Sequence, residues 1–251
     1  VERFQSDLNL AEGIMSNLMP KKIPDIPGYD IFVYYEPARE VGGDYYDFIP
    51  VDERRLAFVV ADVSGKSIGG AMVAGNTRTI LRLMAPRNLS PADVLSNTNY
   101  HIFRDIRRGM FVTCLYALLD VPTRVLTVAS AGHNPMLVWR GKARRHEWIK
   151  PNGIALGFDS GQIFKRTIVE AKVILGVEDR VLLYSDGVVE AMNEAREEWG
   201  EPALAEFMAR HAEQPSNAFC RELARVLSQH KGQAEQHDDI TFITIRVTGN
   251  Q

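Results

Sequence analysis

Cysteine is scarce in this sequence, with two residues of this type in 251, Cys114 and Cys220. They lack the close spacing of a zinc site, and we expect a reducing compartment, the cytoplasm. The sequence also lacks an apolar run of about 18 residues, which argues against a membrane-spanning helix, and we find no signal peptide. These absences favour a cytoplasmic protein without a cysteine-based metal site.

Excess positive charge is also lacking. The formal net charge is −3, which gives no electrostatic basis for binding nucleic acid or an anionic membrane. Hydrophobic residues make up 45% and charged residues 24%, proportions typical of a globular protein. A chain of this length forms one large domain or two modest ones. Because it begins with Val1 rather than Met, we expect a fragment of a longer protein.

The first residues are predicted to form a helix. Over residues 2–19, apolar residues recur at steps of three and four and form a stripe, which consists of Phe4, Leu8, Ala11, Met15 and Leu18. Prolines at positions 20, 24 and 27 then end the helix. We therefore interpret residues 1–27 as a helical linker or regulatory segment and residues 28–251 as one domain.

The domain is predicted to contain strands in blocks, with pairs of helices among them. Helices are expected over 68–84, 91–108, 201–211 and 216–230. Strands are expected over 29–37, over 43–62 as a hairpin, in at least four segments of 111–149, near 164–170, and over 180–185 and 239–247. Since hairpins outnumber βαβ crossovers, the predicted fold class is α+β, with mainly antiparallel sheets and helices packed outside.

Two of the apolar strands end in an aspartate. "LAFVVADVSG" leads to Asp62, and "RVLLYSDGVV" leads to Asp186. A carboxylate beside a buried strand is costly unless it is paired or binds a metal. Each aspartate could equally be a turn-former, since Asp and Gly favour turns. Three further acidic residues are expected at strand ends and favour metal binding over a turn: Asp44, Asp238 and Asp239.

Carboxylates that share one end of a sheet need cations to neutralise them. An all-oxygen set without cysteine favours Mg²⁺ or Mn²⁺ over zinc. Two such ions can activate a water for in-line attack on phosphorus. The residues by themselves predict a metal cluster, and they do not select phosphatase chemistry.

Six segments follow one another over about residues 28–247: "PAREVGGDYYDF", "VVADVSGK", "SAGHNP", "GIALG", "LLYSDGVVEAMN" and "HDDITFITI". In this order and approximate spacing they resemble the PPM-type (protein phosphatase 2C-like) serine/threonine phosphatases. The bacterial branch that contains stage II sporulation protein E and RsbU is the most similar. The resemblance implies two antiparallel β-sheets packed as a sandwich flanked by α-helices. It also implies hydrolysis of phosphoserine or phosphothreonine with two Mn²⁺ or Mg²⁺ ions and without a phosphoenzyme.

The same resemblance implies roles for individual residues. Asp62 would bridge both metals, and Val63 would offer its backbone carbonyl to one of them. Asp186 and Asp238 would complete the first metal site, and Asp44 would serve the second. Asp62 and Asp186 are thus the predicted catalytic residues. Asp239 is expected behind the ligands, supporting them without binding metal itself. The sequence departs from the family's usual pattern at residues 67–70, "SIGG", which leaves the start of the following helix less well defined.

Three further residues are candidates for substrate binding. His133 and Asn134 lie in "AGHNP" and could contact the substrate, although a structural role in a turn is the simpler interpretation. Arg39 is the basic residue nearest Asp44 in sequence and could hold the phosphate through a bidentate pair. An ordinary surface arginine would look the same.

The expected partner is a phosphorylated regulatory protein. In this branch the substrate is commonly an anti-sigma-factor antagonist of the STAS type, and the phosphatase follows an upstream sensor domain, which would be missing from this fragment. The alternatives are a catalytically silent scaffold of the same fold and a metal-dependent phosphohydrolase acting on small molecules. The apolar stripe of the first helix could pack on the domain or form a homodimer that passes on a signal.

Overall fold

A computed structural model describes residues 2–65, 68–87 and 90–249, and for residues 2–9 the backbone alone. The strands are β1 (Tyr29–Glu36), β2 (Asp44–Pro50), β3 (Arg55–Val63), β4 (Val112–Asp120), β5 (Val125–Ala131), β6 (Met136–Arg140), β7 (Arg145–Ile149), β8 (Glu170–Ile174), β9 (Arg180–Tyr184) and β10 (Ile240–Val247). The helices are α1 (Glu2–Leu18), α2 (Ile68–Met84), α3 (Pro91–Asp105), α4 (Gln162–Thr167), α5 (Asp186–Val189), α6 (Gly200–His211) and α7 (Ser216–Lys231). A 3₁₀ turn, Ala85–Arg87, follows α2.

The chain divides into two compact units. The first consists of Val1–Lys22, Arg39–His133 and Lys150–Ile174. The second consists of Ile23–Ala38, Asn134–Ile149 and Leu175–Gln251. The predicted boundary between residues 27 and 28 remains a prediction, and α1 belongs to the first unit by its contacts with α2.

The first unit contains one five-stranded antiparallel sheet in the order β2-β3-β4-β5-β8. Its inner strand β3, paired on both sides, has six consecutive buried residues, 56–61, which is why this strand reads as a continuous apolar run. Helices α2 and α3 contact the strands and each other. Ser90 caps α3 by accepting the Asp93 N–H at 3.2 Å, and Pro91 occupies the first turn, as the sequence predicts.

The second unit contains the other five-stranded antiparallel sheet, in the order β1-β10-β9-β6-β7. Its apolar core joins strand residues to α6 and α7, with Phe207, Phe219 and Phe242 among the buried rings. The buried guanidinium of Arg180 donates to the carbonyls of Ala212 and Gln214 and so ties the α6–α7 loop to β9.

The predicted antiparallel sheets and helices are confirmed, with local differences. Helix α2 has the predicted bounds, and α3 ends at Asp105 rather than residue 108. The prediction of a strand near residues 164–170 is wrong, because α4 covers Gln162–Thr167 and β8 begins only at Glu170. Asp159 accepts the N–H groups of Gly161, Ile163 and Phe164 and so caps that short helix. The turn at 132–135 joins strands of different sheets and does not form a hairpin.

The N-terminal helix is confirmed, and its stripe can be followed in part. Ala11, Met15 and Leu18 are half-buried, whereas the side chains of Phe4 and Leu8 lie outside the described residues. Two residues outside the stripe, Leu10 and Ile14, are 65% and 55% exposed. Over the described part of the chain, no helix combines the length and the apolar character needed to cross a membrane.

Candidate metal centre

Two of the predicted ligands face each other across a strand pair of the first unit. Asp44 opens β2 and stands opposite Asp62 near the end of β3. Opposite residues of an antiparallel pair place their Cβ atoms about 5 Å apart on the same face, where two like charges repel. Asp44 is only 1% exposed, so water cannot screen that repulsion well. The arrangement therefore calls for a positive charge at this end of the sheet.

Gly43 keeps an oxygen-lined space open beside this pair. A Cβ at position 43 would lie 3.1 Å from the Val63 carbonyl oxygen, 3.5 Å from the Gly65 carbonyl oxygen and 3.9 Å from Oδ1 of Asp62. Three oxygens around one small space are the donor set that hard divalent cations prefer. The residues present in the first unit therefore fit a Mg²⁺ or Mn²⁺ ion, and they include the predicted carbonyl of Val63.

The loop after Asp62 is packed against the start of α2. Gly65 has φ of +116°, a conformation that favours glycine. A Cβ at Gly70 would lie 2.1 Å from the Gly65 carbonyl oxygen, so only glycine allows α2 to approach so closely. The unusual "SIGG" segment thus has a packing reason at Gly70. Ser67, the other departure, lies outside the described residues.

In the second unit a glycine allows the remaining aspartates, Asp186, Asp238 and Asp239, to lie close together. Asp186 begins α5 and is half-buried. At the next residue, Gly187, a Cβ would lie 2.0 Å from the Asp239 carbonyl oxygen and 3.4 Å from Cβ of Asp238. The absence of a side chain at position 187 therefore lets the start of α5 touch the 238–239 segment directly.

Asp239 is built into the framework of the second unit. It is 5% exposed, and its Oδ1 accepts the Ala38 N–H at 2.7 Å. Its own N–H donates to Oδ1 of Asp238 at 3.0 Å. These bonds fix Asp239 next to Asp238, and the role of Asp239 behind the ligands remains a prediction.

The predicted ligand carboxylates are divided between the two units. Within the described residues, no set of three or more His, Cys, Asp or Glu side chains is arranged around a single metal position. The first unit contributes Asp44 and Asp62, and the second contributes Asp186, Asp238 and Asp239. The full predicted ligand set remains a prediction.

The substrate-binding candidates lie in different surroundings. His133 is 3% exposed, and its Nδ1 lies 2.8 Å from Oγ1 of Thr113, the residue opposite Asp62 on β4. Asn134 is half-buried, and Arg39 is exposed. The buried hydrogen bond of His133 supports a structural role for that residue, while Arg39 has the accessibility that an anion-binding residue needs.

The sequence did not reveal an ion pair between a buried aspartate and a half-buried arginine near the candidate metal centre. Asp47, three residues after Asp44, has a fully buried side chain and binds Arg82 of α2 through both oxygens, at 2.7 and 2.6 Å. The hydroxyl of Tyr45 also donates to Asp47. The hydrogen bonds from Arg82 to Asp47 raise the pKa of the guanidinium above its ordinary value. The sequence shows Asp47 in "DYYD", but no local pattern indicates that it pairs with Arg82, 35 residues later.

The cysteines offer no nucleophile. Both are free and buried. Burial raises the pKa of the Cys220 thiol to about 12 and also raises the pKa of Cys114. Since the thiolate is the reactive form, neither residue is suited to attack a phosphoryl group.

The fold defines the class of protein. The structure superposes on the SiaA-PP2C domain of Pseudomonas aeruginosa with a TM-score of 0.85, covering 98% of this chain and 96% of that domain at 20% sequence identity. A likeness over nearly the whole chain shows the PP2C-type phosphatase fold, which confirms the predicted fold class.

The family follows from sequence comparison. Residues 52–248 match the family described as Stage II sporulation protein E (SpoIIE), and this chain belongs to that family. It is 26% identical over 248 residues to phosphoserine phosphatase RsbU of Bacillus subtilis, covering 98% of this chain and 71% of RsbU. It is 23% identical over 246 residues to phosphoserine phosphatase RsbP of the same organism, covering 96% of this chain and 58% of RsbP. The predicted branch and enzyme class, a protein serine/threonine phosphatase, are thereby confirmed.

Proposed function

We propose that this chain is the catalytic part of a signalling phosphatase, which removes phosphate from phosphoserine or phosphothreonine of a regulatory protein with the aid of Mn²⁺ or Mg²⁺. The observation that carries the proposal is the oxygen-lined space beside Gly43, next to the opposed carboxylates of Asp44 and Asp62. It supports cation binding independently of any family resemblance.

The proposed ligands are the carboxylates of Asp44, Asp62, Asp186 and Asp238 and the carbonyl oxygen of Val63. Gly65, whose carbonyl oxygen lies beside Gly43, joins the set as a further candidate. Two ions of this kind, when bound, activate water as a nucleophile and neutralise charge on the phosphoryl oxygens.

The surrounding residues would hold these ligands in place. Gly187 allows α5, and with it Asp186, to pack against the 238–239 segment. The bond from the Ala38 N–H to Asp239 fixes that segment at its other side. Arg39 follows Ala38 directly and is exposed, so we retain it as the candidate that binds the substrate's phosphate. His133 and Asn134 remain weaker candidates for substrate contact.

The proposed substrate is a phosphorylated STAS-domain regulator of a sigma factor. The support is family membership together with the similarity to RsbU and RsbP, which are both phosphoserine phosphatases. An upstream sensor domain and a cytoplasmic location belong to the same proposal.

Two other functions predict different behaviour. A silent scaffold would bind the regulator without turnover, and the presence of all four aspartates argues against it. A small-molecule phosphohydrolase would ignore the phosphoprotein, and the family match argues against that.

The deciding experiment is a phosphatase assay with p-nitrophenyl phosphate and a serine-phosphorylated STAS-domain protein, each with and without Mn²⁺. We expect Mn²⁺-dependent turnover of both, with a much higher kcat/KM for the protein. No turnover of either would support the scaffold, and turnover of p-nitrophenyl phosphate alone would support the small-molecule enzyme.

We also propose that α1 transmits a signal, through a homodimer in the complete protein. Its last turn contacts α2, since a Cβ at Gly75 would lie 3.3 Å from Leu18 and Arg78 donates to the Leu18 carbonyl at 2.7 Å. These contacts support packing on the domain for the end of the helix. The exposed Leu10 and Ile14 leave an apolar surface for a second copy.

A further inference from the structure

A stacked pair of aromatic rings lies at the surface of the first unit. The ring centroids of Phe111 and Phe158 are 4.9 Å apart, and the ring planes are inclined by 17°. Phe158 is 64% exposed, and Phe111 is half-buried beneath it. Exposed apolar groups that lie together, as opposed to singly, mark interaction sites in soluble proteins.

Phe158 is exposed, yet its backbone is held firmly. Asn99, a buried residue of α3, donates to the Asp159 carbonyl at 2.9 Å and accepts the Gly157 N–H at 2.8 Å. Gly157 has φ of +89°, which favours glycine. The preceding residue, Leu156, forms two backbone hydrogen bonds with Val112. A partner that binds Phe158 therefore meets an ordered surface and loses little entropy in fixing it.

Phe111 is attached to the strand end that carries Asp62. Its N–H donates to Oγ of Ser64 at 2.7 Å, and its carbonyl accepts the Ser64 N–H at 2.9 Å. Ser64 directly follows Asp62 and Val63. The aromatic pair is thus joined by hydrogen bonds to the loop that would hold the metal, and a polypeptide lying on the rings would be close to that loop.

Positive charge accompanies the rings. Ile106 and Met110 lie against Gly157, because a Cβ there would come within 2.2 Å of the Ile106 side chain and 3.4 Å of the Met110 carbonyl oxygen. The turn enclosed by these residues carries Arg107 and Arg108, both exposed. The ion pairs found among the described residues include neither arginine. Both guanidinium groups are therefore available to an anionic partner.

We propose that this surface, the docking face formed by Phe111, Phe158, Arg107 and Arg108, binds the polypeptide of the phosphorylated substrate next to its phosphoserine. The rings would receive an apolar side chain of the substrate, and the arginines would pair with acidic groups beside it. This inference rests on the proposed function. The partner is the phosphoprotein because the face combines apolar and cationic groups and is bonded to the loop of Asp62.

The test compares two substrates of one enzyme. For each variant, kcat/KM is measured with the serine-phosphorylated STAS-domain protein and with p-nitrophenyl phosphate, which has no polypeptide to contact the docking face. We expect Phe158→Ala to lower the ratio of the two values at least about tenfold, as for truncation of an aromatic anchor. The double variant Arg107→Glu with Arg108→Glu should lower the ratio as well and make it less sensitive to salt.

The matched controls come from the edge strand β8 of the same unit. Ile174, which is 70% exposed, is replaced by Ala, and the exposed Lys172 by Glu. Both should leave the ratio within about twofold of the wild type, since scattered surface residues contribute little. Phe158→Trp keeps an aromatic ring at this position. Its ratio of the two kcat/KM values should therefore stay close to that of the wild type, unlike the ratio of Phe158→Ala.

The outcomes separate the docking face from the proposed function. A wild type that hydrolyses neither substrate contradicts the proposed function and the docking face with it. A wild type active on the phosphoprotein, whose Phe158→Ala variant keeps the same ratio, contradicts the docking face alone. A Phe158→Ala variant that only loses self-association in sedimentation, with an unchanged ratio, would assign the face to a second copy of the chain and also overturn the proposal.

Discussion

Asp44 of β2 and Asp62 of β3 stand directly opposite each other in the antiparallel register. Two carboxylates in this position destabilise a sheet unless a cation lies near them. Next to them, Gly43 leaves room beside the Val63 and Gly65 carbonyl oxygens. The structure thus joins an electrostatic need for a cation to a space lined with suitable donors.

Removing one of these charges should abolish metal-dependent activity without unfolding the protein. We expect Asp62→Asn to lower kcat at least about a hundredfold and to weaken Mn²⁺ binding measured by calorimetry, because a neutral amide is a poorer ligand. Thermal stability without metal should stay the same or rise, since the repulsion with Asp44 is relieved. The exposed Asp25, replaced by Asn, is the control. Full wild-type activity in excess chelator would be incompatible with the metal centre.

Filling the space beside Gly43 should have the same functional effect by a steric route. In Gly43→Ala the new methyl would lie 3.1 Å from the Val63 carbonyl oxygen, so we expect weaker Mn²⁺ binding and lower activity. The control is Gly69→Ala in α2, where a Cβ meets nothing within 4 Å. That variant should be stabilised by up to about 1 kcal/mol through helix propensity, with unchanged metal affinity. Equal Mn²⁺ affinity in both variants would show that the space is not a metal site.

The Asp47–Arg82 pair should stabilise the contact of α2 with the sheet. Arg82→Ala leaves the carboxylate of Asp47 buried without its guanidinium partner, and we expect a loss of about 3 kcal/mol in the free energy of unfolding. Arg225→Ala is the control, because its pair with Glu222 is exposed and should contribute less than about 1 kcal/mol. Urea denaturation measures both losses. Similar midpoints for the two variants would exclude a stabilising role for the Asp47–Arg82 pair.

The cap of α4 should depend on pH at the acidic end. Backbone N–H groups of Phe164, Gly161 and Ile163 donate to Asp159 and lower the pKa of its carboxyl below the ordinary 3.8. A depressed folded-state pKa means that the cap is fully present above about pH 4 and is lost as the pH falls through the lowered value. Titration of the Asp159 carboxyl by NMR, with Asp159→Asn to assign the signal, checks this. A measured pKa at or above 3.8 would contradict it.

The N-terminal helix should control association if it forms the proposed dimer. Replacing the exposed Leu10 and Ile14 together by Glu should lower the dimer content in sedimentation and change the catalytic rate. Replacing Glu12, also exposed on α1, by Gln is the control and should change neither. A wild type that is monomeric at all concentrations, or a double variant with unchanged association and rate, would reject the dimer.

The periodicity of apolar residues and the spacing of turn and capping residues predicted most of the helices and strands. The bounds of α2 and the cap of α3 at Ser90 follow from local signals, since helix ends are marked by nearby residues. Helix α4 was missed because six residues carry too little periodicity to separate a helix from a strand. The aspartates were predicted as a group because Asp62 and Asp186 follow apolar strands, while Asp44, Asp238 and Asp239 stand at the start of others, a signal that is visible in the chain itself.

What the sequence determined by itself is therefore local: the strand segments, the helices and the identity of the acidic residues at strand ends. The opposition of Asp44 and Asp62, the space that Gly43 leaves open and the pairing of Asp47 with Arg82 were decided by the tertiary structure. The same is true of Phe111 and Phe158, which stack although 47 positions separate them in the sequence. The physical reason is that register and long-range contacts depend on how whole elements pack, whereas local signals extend over only a few residues.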